Sequence, residues 1–190
     1  FIDSINIEDV VLEDVLAVGQ TDGLILRLIG LDGTVKTSYP MELPDTVLLG
    51  ALTYLPTTQE YALQDLESHE IQVLDSTGRF QRSCKPTDLF GELPPMGAGL
   101  AYDPILDTFQ ASFVDGLIRE MYVANCLPTT FEYSLNSLGE GFDTDNFFGG
   151  IQIAGNSMLV LGAQSNAIFQ VLLSPFSPDF VRGDFDRNGA

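Results

Sequence analysis

The side chains able to do chemistry in this sequence are few and spread along its length. His69 is the whole imidazole complement. It could serve as a base or a metal ligand, but it stands in a short polar turn, Ser68-His69-Glu70. The plainer role there is hydrogen bonding to nearby backbone. The turns Thr21-Asp22-Gly23, Val114-Asp115-Gly116 and Ser165-Asn166-Ala167 have a similar make-up, so Asp22, His69, Asp115 and Asn166 form one recurrent set. Oxygens from Asp22, Asp115 and Asn166 could converge on a cation if their turns lay on one ring; otherwise they are solvated turn residues. Close-set acids also occur at Glu8-Asp9, at Glu13-Asp14, and at Asp143, Asp145 and Asn146 within the aromatic-flanked stretch 139–148. Such a loop could meet a cation or a sugar ring, though a solvated connector is its plainer reading. The sequence has no Gly-x-Ser-x-Gly elbow, phosphate-cradling glycine loop, His-Glu-x-x-His or paired-cysteine motif.

The last residues are a separate case. In Gly183-Asp184-Phe185-Asp186-Arg187-Asn188-Gly189-Ala190, Asp184, Asp186 and Asn188 stand at alternate positions and a glycine follows. Calcium needs six to eight hard oxygens, and alternate residues of a tight loop turn theirs toward one centre while the glycine makes the bend. This is the first half of such a loop. Its bidentate acid would lie past Ala190, so the segment as it stands is expected to hold Ca²⁺ poorly or not at all. Two cysteines, Cys84 and Cys126, allow at most one bridge and match no zinc spacing. The reading favoured at this point is two buried or half-buried thiols.

The 190 residues suit one domain with a short appendage, and 45% hydrophobic content is enough for a core. Eight Lys+Arg against 27 Asp+Glu give a net charge of −19. A field of that sign repels phosphate backbones and anionic lipid, which argues against nucleic-acid and membrane-surface partners. No window approaches the ~20 apolar residues of a spanning helix. The chain runs from Phe1 to Ala190 without an initial Met or a signal segment, and is read as a piece of a longer polypeptide.

The elements that must position these residues are short strands. Helical periodicity is absent; apolar runs of four to seven residues alternate with Gly, Pro, Asp and Asn. The turn set recurs at 22, 69, 115 and 166, steps of 47, 46 and 51. An independent set, Ile5, Leu52, Leu100 and Ile151, recurs with steps of 47, 48 and 51. Each unit offers four strand slots: one at the Ile5 set, one at Val15, Tyr61, Phe109 and Leu159, and one starting at Leu24, Ile71, Leu117 and Ile168. The last lies near Val35, Phe80, Phe131 and Phe180. Repeats of this length that cannot bury their apolar faces alone must stack on neighbours. Four antiparallel strands per unit without helices predict an all-β fold, a β-propeller of about four four-stranded blades, which could be part of a larger one. The modules are roughly 1–46, 47–94, 95–147 and 148–181, with 182–190 opening another segment. A β-sandwich is the alternative; it explains the strands but not the step.

The stretch Ser68-His69-Glu70-Ile71-Gln72-Val73-Leu74-Asp75-Ser76-Thr77-Gly78-Arg79-Phe80 resembles an NHL-type repeat, and Gly99-Leu100-Ala101-Tyr102-Asp103-Pro104 resembles the opening of NHL-like and YVTN-like propeller repeats. The third copy departs from that pattern, with Asn125-Cys126-Leu127-Pro128 in place of the Asp-x-x-Gly turn. The tail is similar to the opening of a dockerin-type, EF-hand-like calcium repeat. These resemblances imply a secreted bacterial protein at the cell surface or outside the cell, with Ca²⁺ held only in a completed C-terminal loop. The function they imply is a non-catalytic module that binds a protein or glycan through loops on one face. The alternatives are a calcium-dependent lactonase- or esterase-like propeller with part of its site in other blades, and a structural spacer.

Overall fold

The computed structural model describes residues 2–7, 10–20, 22–43, 47–88, 91–134, 150–155, 157–162 and 167–172. Within them every strand pairing is antiparallel and sequential. The first sheet is β1 (Ile2–Ile7), β2 (Val10–Gln20), β3 (Ile25–Gly30) and β4 (Val35–Pro40). The second is β5 (Leu49–Leu55), β6 (Glu60–Asp65), β7 (Glu70–Leu74) and β8 (Phe80–Cys84). A small ribbon, β9 (Thr87–Asp88) and β10 (Gly91–Glu92), interrupts the connection to the third sheet. That third sheet holds β11 (Met96–Asp103), β12 (Thr108–Phe113), β13 (Leu117–Tyr122) and β14 (Pro128–Ser134). In the fourth, β15 (Ile151–Ala154), β16 (Ser157–Gly162) and β17 (Ala167–Leu172) are the strands described. The strand slot expected near Phe180 lies outside the described residues.

These sheets are blades in a propeller-like arrangement, and the expected all-β blade architecture is what the chain adopts. The first strands of the later blades touch in succession, β5 against β11 and β11 against β15, while β2 of the first blade meets β5. The blades meet through their faces. Between the first and second blades Ile5, Val15, Leu26 and Leu28 pack on Tyr61, Leu63 and Leu74. Between the second and third, Ala62, Ile71 and Val73 pack on Leu100, Phe109, Ala111 and Met121. Between the third and fourth, Ala101 and Ile118 meet Ile151, Met158, Val160 and Val171. Because successive strand residues point to opposite faces, a blade between two neighbours must be apolar on both. β7, with Ile71, Val73 and Leu74 all buried, shows that composition.

The register refines the equivalence between copies. Gln20 pairs with Ile25 and Asp65 with Glu70, each across a four-residue loop. Leu16 and Val18 therefore match Tyr61 and Leu63, where the sequence slots had set Val15 beside Tyr61. One residue is a whole face in a strand. Leu16 and Val18 are each 41% exposed, whereas Tyr61 and Leu63 are 0% and 1% exposed. The first blade thus leaves open the face that the second blade buries against its predecessor. The same count moves His69: it ends its loop at φ 57°, as Leu24 does at 46° and Gly116 at 91°. His69 accordingly matches Leu24 rather than Asp22.

The turns between third and fourth strands are built alike. Each follows a register shift, between Leu28 and Ile29, Val73 and Leu74, and Arg119 and Met121. The extra residues lie on the outer strand just after the turn, where such a bulge bends it. Asp32 accepts from the N–H and hydroxyl of Thr34 at 3.0 and 2.7 Å. Asp75 accepts from the N–H and hydroxyl of Thr77 and the N–H of Arg79. In the third blade Asn125 accepts from the Leu127 N–H at 3.0 Å. The residues that close these turns, Gly33, Gly78 and Cys126, all have positive φ, at 79°, 86° and 57°.

Candidate functional site

The joint between the second and third blades gathers the most unusual chemistry among the described residues. Leu26 pairs with Tyr39 in the first blade, and Ile71 pairs with Cys84 in the second, so Tyr39 and Cys84 are equivalent. Gly78 and Cys126 are equivalent by the same register. At the joint between the first and second blades, a Cβ placed on Gly78 would stand 3.4 Å from the Tyr39 Cβ, and the Glu42 N–H donates to the Gly78 carbonyl at 2.9 Å. One joint later the same two positions are cysteines. Bridged cysteines have Cβ atoms about 3.5–4.5 Å apart, so this joint is already at bridging distance. Cys84 and Cys126 form a disulfide with Cα atoms 5.7 Å apart. This corrects the expectation of two thiols. The sequence shows the two cysteines only as residues 42 apart; the blade joint that makes them neighbours is a tertiary feature.

Beside this joint lies a cavity of about 130 Å³, lined by His69, Lys85, Pro86, Leu93, Pro94, Pro95, Met96 and Phe113. Its walls come from the β6–β7 loop, the connection between the second and third blades, and the end of β12. His69 is half-buried, and its Nδ1 is sealed from solvent with no hydrogen-bond partner among the described residues. Pro86, Met96 and Phe113 are buried, while Lys85 is exposed. Phe113 also carries the Arg119 guanidinium over its ring, 4.8 Å from the centroid.

Arg119 is fixed from several sides. It donates to both carboxylate oxygens of Asp115, at 3.0 and 2.6 Å, and lies 3.9 Å from Glu132. A bidentate pair stacked on an aromatic ring is a rigid arrangement. On the opposite face of β13, Glu120 is 4% exposed. Its carboxylate accepts from Gln110 Nε2 at 2.9 Å and Thr129 Oγ1 at 2.8 Å. Glu120, Arg119 and Lys85 carry no signal in the sequence, since each looks like an ordinary alternating polar residue of a strand or loop.

Among the described residues, Asp22, His69 and Asp115 do not gather as a metal group. Asp22 is exposed and its carbonyl accepts from Gln20 Nε2 at 2.8 Å. Asp115 is engaged by Arg119 and by the Leu117 N–H, and His69 faces the inter-blade cavity. Asn166 lies outside the described residues, as do Asp143, Asp145, Asn146, Asp184, Asp186 and Asn188. Glu8 and Asp9 lie outside them too, while Glu13 and Asp14 are exposed. Among the described residues no three His, Cys, Asp or Glu side chains gather as a metal group, and no helix is long and apolar enough to cross a membrane.

No family model matches this chain, and no curated protein does. Among solved structures, one described as "Structure of U3-55K" is similar over 84% of this chain and 48% of that chain, with 10% identity and a TM-score of 0.48. This chain spans about half the length of that structure.

Proposed function

We propose that this chain is a non-catalytic binding module of a secreted bacterial multidomain protein, one that takes a protein or glycan partner on its loop-bearing face. The observation that carries the reading is the joint between the second and third blades. A disulfide ties the two blades at their outer edge, and side-chain hydrogen bonds to Asp65 and Asn125 fix the β6–β7 loop and the turn that carries Cys126. Pre-set loops lose little conformational freedom when a partner arrives, which favours recognition. The bridge itself suits an oxidising, extracellular setting. Propellers host binding proteins and enzymes alike, so the choice rests on this joint and not on the fold. The NHL-like reading of the repeats and the dockerin-like reading of Asp184, Asp186 and Asn188 belong to the same proposal, with Ca²⁺ bound once that loop is completed.

A net charge of −19 predicts that protein partners are basic and that their association slows as salt rises. The test presents the oxidised protein to glycan and peptide arrays at two ionic strengths. Saturable binding that survives removal of calcium supports the module. Turnover of lactone or aryl-ester substrates that requires calcium, without array binding, overturns it in favour of the enzyme reading.

A further inference from the structure

We infer that the cavity between the second and third blades is a binding site for a carboxylate carried on a small apolar body, held by His69 and Lys85. The lining divides into two kinds. Pro86, Leu93, Met96 and Phe113 offer an apolar wall, and His69 and Lys85 are its ionisable groups. Among the described residues that line it there is no carboxylate, in a chain of net charge −19. The ionisable groups of the described lining are thus both basic, and an anion is the ligand they favour.

The imidazole has a defined role in that arrangement. Nδ1 of His69 is buried without a partner among the described residues. An unsatisfied buried acceptor is tolerated better than an unsatisfied buried N–H, so in the neutral ring the proton sits on Nε2. Nε2 is then the donor left for a ligand. The left-handed backbone at His69, φ 57°, sets the direction in which the ring leaves the loop. The same loop-closing conformation recurs at Leu24 and Gly116, so it belongs to the loop, which the imidazole then extends. Lys85 is exposed and so stands at the open side of the cavity; its ammonium is a second, mobile donor for the same carboxylate. At about 130 Å³ the cavity is well below the ~300–1,000 Å³ of drug-sized sites. The apolar body is therefore one ring or one branched acyl group. A free organic acid and the C-terminal residue of a partner chain both present that chemistry.

This site stands independently of the proposed partner binding: arrays can fail while the cavity binds, and the reverse. Its test uses the single histidine, whose ring protons give one unambiguous NMR signal. The oxidised protein is titrated with benzoate, with benzamide as the uncharged analogue of the same shape, and with N-acetyl-phenylalanine as a model chain terminus. Benzoate, N-acetyl-phenylalanine or both should move the His69 signal saturably, and benzamide should bind at least 10-fold more weakly. Which acid binds identifies the source. Lys85→Gln should weaken acid binding about 10-fold without moving the urea midpoint, because Lys85 is exposed. His69→Asn, with a residue that accepts left-handed backbone, should abolish acid binding, read from the Phe113 ring signals. No saturable movement with either acid, equal binding of benzamide, or an unaffected Lys85→Gln variant overturns the inference.

Discussion

Removing the bridge between the second and third blades should cost about 4 kcal/mol. Cys84 and Cys126 are separated by 42 residues. In the chain-entropy account, a cross-link closing a loop of about that length lowers the entropy of the unfolded chain enough to stabilise the fold by about 4 kcal/mol. For a chain of this size each kcal/mol moves the thermal midpoint by about 2–4 °C, so the shift is about 8–16 °C downward. The perturbation of choice is the double variant Cys84→Ala, Cys126→Ala. Cys126 is fully buried, and a serine hydroxyl there would add its own desolvation cost. The assay is thermal and urea unfolding of the oxidised protein, the same protein with reductant, and the variant. The reduced protein and the variant should unfold together, well below the oxidised form, and reductant should leave the variant unmoved. Identical midpoints for all three would refute the reasoning, since a cross-link across the blade joint cannot be energetically silent.

Three further outcomes follow from the same geometry. Leu63 and Val18 are equivalent positions, but Leu63 is buried between blades while Val18 lies on the open face; Leu63→Ala should cost about 2–5 kcal/mol in urea unfolding and Val18→Ala within about 0.5 kcal/mol. Gly78→Ala should destabilise clearly more than Gly33→Ala in the same assay: both have φ near +80°, but a Cβ on Gly78 would stand 2.6 Å from the Pro40 carbonyl oxygen and one on Gly33 meets nothing within 4 Å. Hydrogen bonds from the Thr34 hydroxyl and N–H, with help from Lys36, hold the Asp32 carboxyl down to about 2. A folded value lowered in this way contributes stability that is present above the ordinary carboxylate range of about 4 and is lost as pH falls toward about 2; carboxyl NMR titration should show Thr34→Ala returning Asp32 toward that range.

Much of the blade order was legible in the sequence because the step of 46 to 51 residues and the turn chemistry are local signals. The runs at Ile5, Tyr61, Phe109 and Leu117 all fall in strands, and Gly33 and Gly78 close turns that demand positive φ. Register was less legible. Setting Val15 beside Tyr61 missed by one residue, because an apolar run of Val15-Leu16-Ala17-Val18 does not say which of its faces meets the next blade. His69 was matched to Asp22 by composition, whereas loop length and backbone conformation match it to Leu24. The ribbon of β9 and β10 left no apolar pattern to find. The bridge was illegible for a stronger reason: Cys84 closes a strand and Cys126 closes a turn in the next blade, and their proximity exists only once blades stack. The cavity is likewise a product of stacking, since its lining comes from stretches as far apart as His69 and Phe113.

The account rests on successive blades meeting at equivalent joints, with the second and third locked at Cys84 and Cys126. Peptide mapping without reduction tests this most directly: free thiols are alkylated in denaturant, and the protein is cut with trypsin. Cleavage after Arg82, Arg119 and Arg182, with the bond between Lys85 and Pro86 resistant, places the two cysteines in separate fragments, 83–119 and 120–182. The account predicts one species containing both fragments that splits into the two upon reduction. Recovery of both fragments separately, each already alkylated, from protein prepared under oxidising conditions would contradict it.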